Sequence, residues 1–213
     1  MTVNRDNDCP EGAHLDGPPT LYECPTCLYI GHDVRYARGE QPCPACHTVS
    51  ANWRKMPAER LRRFDERIRV HHKSGDSEVV VILVATFLET VLEDLLARMM
   101  QAQGAGTKVI ALTLDTERSI GLRIGKLFPA LAGESFEDVA AEVGYREFPR
   151  RWRDMRSARN AFIHGESFDN PRETLDHRTA CEAMSLLDQA YELFILMNNR
   201  FVANGGTRRK AGR

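Results

Sequence analysis

Two short cysteine turns constrain this chain more than any other feature. Cys24-Pro25-Thr26-Cys27 and Cys43-Pro44-Ala45-Cys46 are CPxC knuckles separated by fifteen residues. Each tight turn aims two thiolates at one point, and two such turns complete a tetrahedral sulfur site. A ribbon this small buries too little apolar surface to fold alone, so a metal must supply much of its folding free energy. The pattern predicts one structural Zn2+ per chain, held by Cys24, Cys27, Cys43 and Cys46. A rubredoxin-type iron centre shares the ligand set and stays open as the other ion. One ion explains two matched knuckles better than a redox CxxC pair does. Four thiolates close the shell, which leaves no place for a catalytic water. His47, His32 and His14 lie nearby and are read as exposed polar surface. Cys9 and Cys181 fall outside the pattern, with Cys181 packed among helices. Tyr22, Tyr29 and Tyr36, with Arg35 and Arg38, have two readings: a surface for nucleic acid or protein, or the strands and small core of the ribbon.

The rest of the chain reads as helix. Leu61, Phe64 and Ile68 give a thin apolar stripe after Met56-Pro57, and His71-His72-Lys73-Ser74-Gly75 marks a break. Ser77 is expected to cap a long helix in which Val84, Leu88, Val91, Leu92, Leu95 and Met99 recur at threes and fours, ending at Gly104-Ala105-Gly106. Shorter helices are expected around Glu117 to Leu127 and Ser135 to Val143, and a longer one from Phe148 to His164. Asn170-Pro171-Arg172-Glu173 offers an N-cap and a proline start for a last helix, with Leu186, Ala190, Leu193, Phe194 and Met197 facing inward. The expected fold is mainly α, an antiparallel helical bundle preceded by a small β-type ribbon. Residues 1–19 are expected to be a disordered N-terminus, 20–52 the ribbon, 53–76 a linker or helix, 77–204 the bundle and 205–213 a basic disordered tail.

The longest apolar run, Val79 to Ala85, is too short to span a membrane. The first residues lack the basic start and apolar core of a signal peptide. These features predict a cytoplasmic protein, in which cysteines serve as metal ligands or buried thiols and not as disulfides. The net charge of −1 gives no global attraction to nucleic acid, but the charge is uneven. Between Tyr145 and Asn160 stand Arg146, Arg150, Arg151, Arg153, Arg156 and Arg159 against Glu147 and Asp154 alone. Glu89 and Glu93, one turn apart, are read as a solvated helix face in preference to a metal pair.

The chemistry-bearing stretch is Arg159-Asn160-Ala161-Phe162-Ile163-His164-Gly165. Histidine titrates nearest neutrality and can take or give a proton. Arginine is permanently charged, and its planar fork matches phosphate oxygens. RNA carries its own nucleophile, the 2′-OH, so such a pair can cleave it without a catalytic metal. Arg156, Asn160 and His164 share one helix face, while Arg159 lies roughly 140° from His164 on an ideal helix. Arg156 is therefore a candidate equal to Arg159, and Arg151 and Arg153 extend the RNA-binding surface.

Arg-Asn, three intervening residues and His-Gly, late in a small helical domain, resembles the signature of the HEPN superfamily. In that family the arginine is followed by a polar residue and, four to six positions on, by the histidine. Arg159, Asn160 and His164 match at the short end of the spacing. The resemblance implies a helical bundle, a homodimer and metal-independent endoribonuclease activity with Arg159, Asn160 and His164 as catalytic residues. With the N-terminal ribbon it is similar to bacterial toxin and phage-defence RNases, which implies a neutralising antitoxin or a triggering partner. A two-fold dimer would also supply the second histidine that acid–base cleavage needs. Two other readings stand beside it. One is a non-catalytic RNA-binding or protein-interaction module. The other is a DNA-binding regulator, because Asp138 to Tyr145 followed by the arginine-rich helix resembles a helix-turn-helix.

Overall fold

The computed structural model describes Cys9, residues 14–164 and residues 175–203. The fold is mainly helical with one small sheet near the N-terminus. Strands β1 (Leu21–Glu23), β2 (Ile30–Gly31) and β3 (Arg54–Met56) form an antiparallel sheet in the order β2-β1-β3. A short helix α1 (Val34–Ala37) lies between β2 and β3. The sheet therefore closes with β3, beyond residue 52 and inside the stretch expected to be linker or helix.

Helix α2 (Glu59–Ser74) follows, burying Ile68 with Leu61 and Phe64 packed beside it. It stops at Gly75, whose φ of 79° is the left-handed conformation that glycine adopts at lowest cost. Helix α3 (Ser77–Ala102) is the centre of the molecule and packs against α2, α4, α8 and α9. Val80, Val81, Val84, Ala85, Phe87, Leu88, Leu92, Leu95, Leu96, Met99 and Met100 are buried along it. Apolar residues thus surround much of this helix instead of forming one stripe, as expected of an element enclosed by others. Each fully buried large side chain contributes about 1.5–3 kcal/mol. Asp76, not Ser77, occupies the cap position, and its carboxylate meets Nδ1 of His71 at 2.8 Å.

Helix α4 (Thr107–Thr116) was not foreseen. It carries only one buried residue, Leu114, so its apolar period is too weak to read from sequence. Then come α5 (Ile120–Leu122), a π-helical turn (Arg123–Leu127), α6 (Phe128–Ala132) and α7 (Phe136–Glu142). Helix α8 (Phe148–His164) buries Phe148, Pro149, Trp152 and Met155 in its first half. Helix α9 (His177–Asn198) runs into a π-helical end (Asn199–Ala203) and makes its main packing against α3. Its cap is Asp176, whose side chain accepts from the Thr179 N–H at 2.9 Å. The expected cap at Asn170-Pro171 lies outside the described residues, as does the basic tail.

Sheet and bundle are joined through polar groups as well as apolar ones. Leu21, Ile30 and Met56 enter the same core as the helices. Glu23, 3% exposed, receives ion pairs from Arg98 of α3 and from Arg54. Asn199 brackets Ile30, accepting from its N–H and donating to its carbonyl, both at 2.8 Å. Asn198 donates to the Leu28 carbonyl at 2.8 Å. A second buried network links Asp65, Arg69, Tyr191 and Asp188 across α2 and α9. Among the described residues, no helix is long and apolar enough to cross a membrane.

Candidate functional site

The knuckles are built by their own backbone. In the first, the Leu28 N–H returns to the Cys24 carbonyl at 3.0 Å and the Cys24 N–H reaches the Tyr29 carbonyl at 2.8 Å. In the second, the His47 N–H returns to Cys43 at 2.9 Å and the Cys43 N–H reaches Thr48 at 3.0 Å. Leu28 and His47 hold the same place in the two turns, each at positive φ (64° and 58°). His47 is thus a turn residue and exposed. His32 is also exposed and pairs with Glu192 at 3.3 Å.

The four sulfurs cluster with all ligand atoms within 4.8 Å of one another. Cys24 and Cys46 are 3.7 Å apart, Cys27 and Cys43 3.6 Å. A tetrahedron with metal–sulfur bonds of about 2.3 Å has edges of about 3.8 Å, so the donor set fits a structural metal site. Burial pushes the Cys27 and Cys43 thiols up. Burial also opposes ionisation of Cys46, but hydrogen bonding with Thr48 and with the Cys27 and Cys24 sulfurs pulls it down to about 7. Tyr36 stacks on Trp53 with centroids 5.0 Å apart, and Tyr22, Tyr29 and Tyr36 pack around the buried cysteines. Those tyrosines therefore form the ribbon's small core.

The second candidate is the end of α8. The helix continues unbroken to His164, so Arg156, Asn160 and His164 keep their common face at intervals of four. Asn160 and His164 are exposed, and so are Phe162 (43%) and Ile163 (49%). Arg159 is drawn the other way, donating to Glu89 of α3 at 2.8 Å. The same Glu89 oxygen lies 3.6 Å from Arg156. One carboxylate therefore gathers two arginines against α3, while Asn160 and His164 stay exposed. Among the described residues the Nε atoms of both arginines are buried without a hydrogen-bond partner. Burial lowers the Arg156 pKa, with Glu89 opposing and Arg159 adding to the effect. Glu93 pairs with Arg123 at 2.9 Å, so both glutamates serve ion pairs between elements instead of a merely solvated face.

The other arginines divide. Arg153 pairs with Glu137 at 3.2 Å, and Arg150 with Glu147 and Asp154 at 3.0 and 3.1 Å. Arg153 and Arg156 line a cleft with Gly121, Ile124, Gly125 and Trp152. Arg151 is half-buried and Arg146 exposed, and among the described residues neither has an ion pair.

Sequence reasoning missed a third cluster. Cys9 and Cys181 are joined as a disulfide with Cα atoms 5.8 Å apart, contrary to the expectation of metal ligands or free thiols. His14 is half-buried beside them, not exposed surface, and His72 and His177 complete the surroundings. The available signal was His177 and Cys181 four apart on one helix face, with His72 at a helix end.

Comparison of the chain with protein-family models, with curated proteins and with solved structures finds no match.

Proposed function

We propose that the chain is a metal-independent endoribonuclease of the HEPN type, acting as a toxin or phage-defence effector, with one structural zinc in its N-terminal ribbon. The observation that carries this reading is the last two turns of α8. There Asn160 and His164 stand exposed one turn apart on the face of Arg156, and Arg156 and Arg159 converge on Glu89 of α3. His164 would take the 2′-OH proton or give one to the leaving 5′-oxygen. Arg159 and Arg156 would stabilise the negative charge that builds on the phosphorane oxygens. Asn160 would orient phosphate, and Arg151 and Arg153 would follow the strand. A two-fold dimer would provide a second histidine, so that base and acid come from different chains. The exposed Phe162 and Ile163 beside the motif support such a contact. Uncontrolled cleavage would harm the host, so a neutralising partner protein belongs to the proposal.

The ribbon zinc would act on folding alone. Its four-thiolate shell offers no place for a water, and the nucleophile is supplied by the RNA. A second reading, a non-catalytic RNA-binding module, is favoured by the Arg159–Glu89 pair, which cancels part of the charge that catalysis would use. The regulator reading loses support because Phe148, Pro149, Trp152 and Met155 anchor the first half of α8 in the bundle and its exposed Arg150 and Arg153 are held in ion pairs with Glu147, Asp154 and Glu137.

The deciding experiment incubates the full chain and its His164→Ala variant with labelled RNA in EDTA. Wild-type protein is expected to cleave and to leave 2′,3′-cyclic phosphates, and the variant to be slower by about 10²–10⁴. Equal rates, or a requirement for added Mg2+, would remove the nuclease reading in favour of the binding module.

A further inference from the structure

Three separate parts of the chain bring metal-ligating side chains to one point outside the four-cysteine cluster of the ribbon. Cys9 and His14 come from the N-terminal segment, His72 from the last turn of α2, and Cys181 from the start of α9. Their ligand atoms all lie within 4.8 Å of one another. Nε2 of His72 is 3.4 Å from the Cys9 sulfur and 3.8 Å from the Cys181 sulfur. A tetrahedral ion with bonds of about 2.3 Å to sulfur and 2.0 Å to nitrogen has sulfur–nitrogen edges of about 3.5 Å. The two distances bracket that edge.

The surroundings point to an ion independently of the distances. Both ring nitrogens of His14 are buried and, among the described residues, lack a hydrogen-bond partner. A buried polar group without a partner carries an uncompensated desolvation cost, and coordination would remove it. Asp188 stands 3.6 Å from Nδ1 of His14 and is itself fixed by Arg69 at 2.8 Å and the Leu15 N–H at 3.0 Å. A carboxylate behind one imidazole nitrogen turns the other toward a metal, a common arrangement around zinc. A disulfide alone gives these histidines no task. His72 meets His14 edge-on at 5.6 Å and stacks on His177 at 5.7 Å, so three imidazoles surround one sulfur pair.

We propose that Cys9, His14, His72 and Cys181 are the ligands of a second structural zinc ion, which clamps the N-terminal segment to α2 and α9. His177, with Nε2 3.5 Å from the Cys181 sulfur and 4.0 Å from the Cys9 sulfur, stacks on His72 as a neighbour and falls outside the group whose ligand atoms all lie within 4.8 Å of one another. The donor set is closed, two thiolates and two imidazoles, so the ion is structural. The Cys9–Cys181 disulfide is the oxidised, metal-free state of the same pair. A dithiol reductant delivers two electrons and two protons to the sulfur–sulfur bond, yielding two thiols and the reductant's own disulfide. Zn2+ then displaces both thiol protons as it binds.

The test uses the full chain, reduced with a dithiol, supplied with Zn2+ and freed of excess metal by gel filtration. Two zinc ions per chain are expected for the wild type and one for His72→Ala and for Cys9→Ser. Helical circular dichroism should persist in both variants. Replacing zinc by Co2+ should give mixed sulfur–nitrogen and all-sulfur spectra in the wild type. Only the all-sulfur spectrum should remain in the variants. One zinc per reduced wild-type chain overturns the proposal, as does an unchanged two in His72→Ala. An alkylation mass showing that Cys9 and Cys181 stay oxidised in dithiol and zinc overturns it equally.

Discussion

The four-cysteine centre and the end of α8 are both polar clusters, but they are assembled in opposite ways. Each knuckle is made by hydrogen bonds within six residues, and the two turns differ little in geometry. Each turn thus fixes the direction of its own two sulfurs from within. At the end of α8, the spacing of Asn160 and His164 is equally local, but the placement of Arg159 is not. It depends on Glu89, seventy residues away on another helix. The contrast shows how far a short motif can be read. Ligands presented by a turn carry their geometry with them, whereas a long charged side chain goes where its partner is.

Replacing a ribbon ligand should have the largest effect. Structural zinc contributes on the order of 10 kcal/mol to units of this kind, so Cys43→Ser should unfold residues from about Leu21 to Val49. Leu21, Ile30 and Met56 share the core of the bundle, and Glu23 neutralises buried Arg98. The helices should therefore persist but melt at lower temperature, as circular dichroism would record. An unchanged melting curve would mean that the ribbon is an independent appendage and would break the comparison at its local end.

Glu89→Gln probes the other end. If Glu89 positions Arg159 for catalysis, removing its charge should slow RNA cleavage by about 10²-fold, as misplaced catalytic groups do. The same variant should leave RNA affinity unchanged or tighter, because a negative charge has gone. If the site only binds RNA, affinity should rise without any cleavage to lose. Measuring rate and affinity together separates the two readings.

The smallest effect belongs to a purely local contact. Asp176 caps α9 and should cost about 1 kcal/mol when replaced by alanine. Hydrogen bonds from Thr179 hold its carboxyl below the usual range. A lowered folded pKa means that the contribution is complete above the ordinary carboxylate value of about 3.9. It is lost as the pH falls through the lowered one. The stability difference between wild type and Asp176→Ala should therefore narrow only in strong acid. A difference that shrinks on going from neutral to alkaline pH would contradict this assignment.

The sequence by itself determined which four cysteines cluster, the helical class and the faces of α3, α8 and α9. All three follow from spacings that a turn or a helix converts directly into direction. It also marked Asn160 and His164 as neighbours on one face. Tertiary structure alone decided that Arg159 turns to Glu89, that β3 closes the sheet past residue 52, and that Asn198 and Asn199 bind the ribbon to α9. Only the fold could bring Cys9, His14, His72 and Cys181 together, since 172 residues separate the two cysteines. Spacing along the chain fixes what lies within one turn or one helix. Contacts between elements depend on how buried faces pack, and no single element carries that information.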